Sequence, residues 1–122
     1  MNAQKSHTIA FDFDGVIAQY QGFIHEEPIK EPIQEVGKAI RKLKKRGHKI
    51  LIYSTRGDDF LKKYREKFSI PVDYINKRPD KQGKNAGKPI AFVYGDDRSI
   101  CHKGQSAAEL VKEIESFKPH WK

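Results

Sequence analysis

The aspartates are the residues with the clearest chemistry to offer. Asp12 and Asp14 stand two apart, with Gly15 after them, at the end of the apolar run Thr8–Phe11. Asp96 and Asp97 stand side by side after a second run, Ile90–Tyr94, and Ser54, Thr55 and Arg56 follow a third, Lys49–Tyr53. If these runs are parallel strands of one sheet, the four carboxylates meet at its carboxyl edge, where such sheets carry their reactive sites. Crowded carboxylates repel one another unless a cation neutralises them. Oxygen-only ligands favour a hard ion, and Mg²⁺ fits because it is held by one or two carboxylates, waters and a substrate phosphate. Lys88, eight residues before Asp96, can bring positive charge to a nucleophilic carboxylate and to phosphoryl oxygens. The Ser54 hydroxyl and its neighbouring amides can donate to the same phosphate. Together these are the parts of a phosphoryl-transfer site: nucleophile, acid/base, hydroxyl donor, cation and metal ligands.

The elements that must hold these residues can be read from periodicity. Thr8–Phe11, Lys49–Tyr53, Pro71–Ile75 and Ile90–Tyr94 read as strands, rich in β-branched and aromatic residues. Between Pro32 and Arg46, Ile33, Val36, Ile40 and Leu43 recur at helical spacing, with Gly47 as the stop. Asp58–Phe68 repeats the pattern through Phe60, Leu61, Tyr64 and Phe68, with Asp58 as the expected cap. A last helix spans about Ser106–Phe117, with Leu110, Ile114 and Phe117 expected inward and Trp121 packing back on the body. Val16–Glu27 reads as a turn and an irregular or hairpin excursion, and residues 76–87 as a polar loop. Strands alternating with helices predict a mainly parallel sheet with helices on both faces. The expected fold is therefore α/β, three-layer and Rossmann-like, with one domain over residues 1–122.

The ordered motifs carry a resemblance. The stretch FDFDGVI, then LIYSTR, then KPIAFVYGDDR is similar to the successive motifs of the haloacid dehalogenase-like (HAD) superfamily. The resemblance implies that Asp12 attacks phosphorus to form an aspartyl-phosphate. Asp14 then serves as acid and base, and an Asp at that position points to phosphatases. It also implies Mg²⁺ held by Asp12, the Asp14 backbone carbonyl and Asp96, with Asp97 supporting the metal shell or orienting Lys88. Phosphate contacts are expected from Gly15, Ser54, Thr55, Arg56 and Lys88. Lys77 is the alternative to Lys88, and Thr55 the alternative to Ser54. Arg56 and Arg98 either hold phosphate or pair with Asp58 or Asp97. The intervals between motifs are filled by the helices and strands already named, so no cap domain is expected. An open site needs a large substrate or a second subunit to shield it.

Composition sets the remaining bounds. The 122 residues carry a net charge of +8, and the pI is about 9.6. That balance favours anionic partners, and a nucleotide or nucleic-acid end is one such substrate. The single cysteine, Cys101, excludes an internal disulfide and is expected to be a small, at least half-buried side chain. His25, His48, His102 and His120 show no ligand spacing and read as surface or packing residues. No signal-like or membrane-spanning apolar run is seen, which leads to the expectation of a cytoplasmic protein without membrane contact. Two functions follow: a Mg²⁺-dependent phosphatase, or a phosphate- or nucleic-acid-binding module that keeps the fold without turnover. Asp12 and Asp14 could instead merely organise a turn, as Asx residues do.

Overall fold

The computed structural model describes residues 6–19, 30–77 and 89–121. The order is β1 (Thr8–Asp12), α1 (Gln34–Lys45), β2 (Lys49–Tyr53), α2 (Asp58–Phe68), β3 (Tyr74–Ile75), β4 (Val93–Gly95) and α3 (Ala107–Glu115). The four strands form one sheet in the order β3-β2-β1-β4, and every pair is parallel. This is the expected α/β, Rossmann-like arrangement. No cap domain is present among the described residues.

Alternation along the strands decides what is buried. Ile9 pairs with Ile50 and Phe11 with Ile52, so these side chains share one face. Ile9, Ile50 and Ile52 form one cluster with Ile40 of α1 and Leu61 and Tyr64 of α2, so both helices cover that face. Leu61 has no exposed surface, so truncation to Ala costs about 2–5 kcal/mol. Ala10 and Leu51, on the opposite face, are equally buried, and the centre of the sheet is therefore covered on both sides. The helices are amphipathic, with Val36, Ile40 and Leu43 of α1 turned to the core and Lys38, Arg41, Lys42 and Lys45 outward. Asp73 ties the layers together. Its carboxylate accepts from Lys44 Nζ of α1 (2.8 and 2.9 Å) and from the Ile50 backbone N–H (2.8 Å).

Several boundaries differ from the sequence reading. α1 starts at Gln34, and Pro32 instead bridges antiparallel to Ala18. Gly47, at φ +88°, ends α1 as expected. Asp58 is the first residue of α2 and not its cap, a position taken by Gly57; the Asp58 carboxylate accepts from Asn76 Nδ2 instead (2.7 Å). β3 and β4 are shorter than Pro71–Ile75 and Ile90–Tyr94, because only these residues find partners in the ladder. Ile114 of α3 is 55% exposed and not inward. α3 is held locally, by a reciprocal capping box between Ser106 and Glu109. Cys101 is also exposed, in the loop after β4.

Chain order places the site. The path runs outward from β1 through β2 to β3 and then crosses to β4 on the far side of β1. The strand order therefore reverses between β1 and β4, and the crevice at such a switch point is where open α/β sheets bind ligands. Asp12 ends β1, and Asp96 and Asp97 follow β4.

Candidate active site

Phe13 explains the spacing of the first two aspartates. Its ring is buried edge-on against Tyr64 (4.6 Å between centroids) and Phe60 (5.7 Å), which fixes the chain between Asp12 and Asp14. The backbone then turns tightly: the amides of Ile17 and Ala18 donate to the Phe13 carbonyl (2.9 and 3.0 Å) and Gly15 N–H to the Ala18 carbonyl (2.8 Å). Gly15 adopts φ +81°, and a Cβ there would lie 2.3 Å from Asp97 Oδ2. Glycine is needed both for the left-handed backbone and for this close approach. The Gly15 N–H, expected to face phosphate, is already used within the turn.

Carboxylate oxygens of Asp12, Asp96 and Asp97 lie within 4.8 Å of one another. Asp12 Oδ1 accepts from the Phe13 N–H (2.9 Å). Asp96 is held at both oxygens, by the Tyr53 hydroxyl (2.7 Å) and by the Arg98 N–H (2.8 Å). Asp97 Oδ2 accepts from the Trp121 indole N–H, while its Oδ1 is buried without a hydrogen-bond partner. Burial, a hydrogen bond with Asp97 and the negative charge of Asp96 and Asp97 push the Asp12 carboxyl up to about 7. Burial first, and then the Asp96 carboxylate, push the Tyr53 hydroxyl well above its usual range, so it stays a donor.

These features fit a small hard cation. The donors are all oxygens, their charges repel, and one buried carboxylate oxygen lacks any positive partner. Asp12, Asp96 and Asp97 are the residues that would hold it.

Asp14 is placed differently. Its side chain lies outside this cluster and is gripped by Arg56, with Nε 2.9 Å from Oδ2 and Nη2 2.8 Å from Oδ1. The guanidinium sits over Phe60 (4.8 Å) and Phe13 (5.7 Å). Arg56 thus pairs with neither of the expected partners, Asp58 or Asp97: its guanidinium lies over the two rings with its fork on Asp14. Arg98 stacks on Trp121 (5.1 Å) and is not paired with Asp97 through its side chain.

A pocket of about 420 Å³ opens beside Asp12, lined by Tyr53, Ser54, Thr55, Asn76, Lys77 and Pro89. Ser54 Oγ accepts from the Arg56 N–H (3.1 Å), which leaves its hydroxyl hydrogen to donate. Asn76, at φ +60°, accepts from the Ser54 N–H (2.8 Å) and shapes the same wall. Lys77 is exposed and is a described cation of this pocket; Lys88 lies outside the described residues. The basic last turns of α1 and α2 are at the other end of the sheet, since both helices run back from the carboxyl edge.

Sequence reasoning missed Tyr53, Asn76 and His120 as site residues. His120 Nε2 is bonded to the Gly15 carbonyl. Tyr53 becomes visible only through the register that pairs it with Asp12. Trp121 does return to the body as expected, onto Asp97.

No protein-family model matches the chain, and no curated protein matches it. A solved structure, that of a conserved protein from Bacteroides thetaiotaomicron, is similar in fold, with a TM-score of 0.63 and 23% identity over 91% of this chain and 90% of that one. At that identity the likeness speaks for the fold alone.

Proposed function

We propose that the chain is a Mg²⁺-dependent phosphomonoesterase acting through Asp12. The observation that carries this reading is the convergence of Asp12, Asp96 and Asp97 on one point, with Asp97 Oδ1 buried and unsatisfied, beside a pocket that also presents Ser54.

The residues can divide the reaction as follows. The phosphate enters the pocket, where Ser54 Oγ–H and Lys77 are placed to meet its oxygens. Asp12 Oδ2, the oxygen that does not accept from the Phe13 N–H, attacks phosphorus and the bond to the leaving oxygen breaks, giving an aspartyl-phosphate. Asp14 gives its proton to the leaving oxygen. It then takes a proton from the water that attacks the same phosphorus and releases Asp12 and inorganic phosphate. Mg²⁺, when bound, supplies charge neutralisation that lets an anionic carboxylate approach an anionic ester. Arg56 occupies both oxygens of Asp14, so Asp14 can reach a leaving oxygen only after leaving Arg56. An incoming phosphate, itself a strong partner for guanidinium, can compete for Arg56 and release Asp14.

The Arg56–Asp14 pair also favours a second reading. If it persists with phosphate bound, the molecule is a phosphate-binding module without turnover. The test is hydrolysis of an aryl phosphate in Mg²⁺ and in EDTA, by wild type, Asp12→Asn and Asp14→Asn, followed by a panel of nucleotides, sugar phosphates, phosphopeptides and phosphorylated oligonucleotides. Metal-dependent turnover lost in both variants supports the phosphatase. Phosphate binding without turnover on any substrate supports the module.

A further inference from the structure

Trp121 lies 106 residues from Gly15, yet its indole nitrogen is 2.9 Å from where a Gly15 Cβ would stand. Among the described residues, three contacts bring it there. His120 Nε2 bonds to the Gly15 carbonyl, Arg98 stacks on the indole at 5.1 Å, and the indole N–H donates to Asp97 Oδ2. The only space for this approach exists because residue 15 has no side chain, since a Cβ would also meet Asp97 Oδ2 at 2.3 Å. The tail is therefore docked on the acidic cluster itself.

From this geometry we infer that Trp121 is a positioning residue for Asp97, fixing its carboxylate so that Oδ1 faces the cation shared with Asp12 and Asp96. A carboxylate held at one oxygen no longer rotates freely, and the other oxygen keeps a defined direction. Here Oδ2 is the held oxygen, and Oδ1 is the buried one with no hydrogen-bond partner. The chemistry of the donor suits the task. An indole N–H donates but neither accepts nor carries charge. It orients Asp97 without neutralising it and cannot itself ligate a metal. A lysine in the same place would satisfy the carboxylate and compete with the cation. Outer partners of metal-bound carboxylates act in this way, and their loss weakens metal affinity about 10- to 100-fold.

This inference rests on the Mg²⁺ reading, and the experiment separates the two. The full-length protein, stripped with EDTA and dialysed, is titrated with MgCl₂ by calorimetry. Trp121→Phe keeps an aromatic ring for Arg98 to stack on and removes the N–H donor together with part of the ring area. It is expected to raise the Mg²⁺ dissociation constant about 10-fold or more. In an Asp97→Asn background the same substitution is expected to change the affinity less than twofold, because Trp121 acts through Asp97. Trp121 is also the single tryptophan of the chain. Wild-type emission is therefore expected to change with MgCl₂ and to saturate at the concentration that calorimetry gives. That second readout requires no variant, so a poorly folded Trp121→Phe protein leaves the inference testable. Wild-type Mg²⁺ binding with silent tryptophan emission, or an unchanged affinity in folded Trp121→Phe, overturns the role of Trp121 and leaves the metal site standing. No Mg²⁺ binding by the wild type overturns both.

Discussion

Without metal, Asp12 should make the protein less stable as pH rises, opposite in sign to an ordinary ion-paired carboxylate. Its carboxyl, ordinarily near 3.8, is pushed up to about 7 in the fold, first by burial, then by the hydrogen bond with Asp97 and the charges of Asp96 and Asp97. A group with a raised folded pKa binds extra protons in the native state between those two values. Its stabilisation is complete below about pH 4 and is lost as pH climbs through about 7. Three pH units correspond to about 4 kcal/mol at about 1.4 kcal/mol each. Asp12 is only half-buried, and solvent screening reduces this to about 2 kcal/mol. In a chain of 122 residues that is about 6–10 °C in Tm. The assay is thermal melting of wild type and Asp12→Asn in EDTA across this range. Asparagine stands in for the protonated carboxyl, so the variant should gain on the wild type by that amount as pH rises. Saturating Mg²⁺ should restore the wild type at neutral pH, since it binds the ionised carboxylates. A difference that stays flat with pH, or one of opposite sign, refutes the electrostatic reasoning.

Two further substitutions separate the parts of the site. Arg56→Gln should lower Tm by several degrees, through loss of the grip on Asp14 and of stacking on Phe60, an effect of about 1–2 kcal/mol. Mg²⁺ affinity should be unchanged, because the Asp14 side chain is outside the acidic cluster; weakened binding in calorimetry would contradict that placement. Gly15→Ala combines a left-handed backbone with a Cβ 2.3 Å from Asp97 Oδ2. Strain and overpacking together should cost about 2–4 kcal/mol in denaturant melts and weaken Mg²⁺ binding as well, while a variant as stable as the wild type would show that the turn yields easily.

The residues that end strands were legible in the sequence, and the contacts between strand ends were not. Asp12, Ser54 and Asp96 each follow an apolar run, and a parallel sheet has only one edge on which to put them. The fold class, the core helices and the meeting of Asp12 with Asp96 and Asp97 follow from that. The partner of Asp14 did not follow, because it depends on how the Arg56 guanidinium lies over the rings of Phe13 and Phe60, which come from separate segments. Tyr53 required the register, and the roles of His120 and Trp121 required the path of a tail that has no periodicity to read. Ile114 illustrates the reverse error: helical spacing shows which residues share a stripe, and it does not show that anything covers the stripe.

If Asp12 carries the phosphoryl group during turnover, the adduct can be trapped and located on it. The protein is mixed with an aryl phosphate and Mg²⁺, quenched in acid during turnover, digested and analysed by mass spectrometry. A single phosphoryl adduct is expected on the peptide containing Asp12, absent in EDTA and in Asp12→Asn. Turnover with no adduct on that peptide, or Mg²⁺-dependent turnover that survives Asp12→Asn, would contradict that role of Asp12.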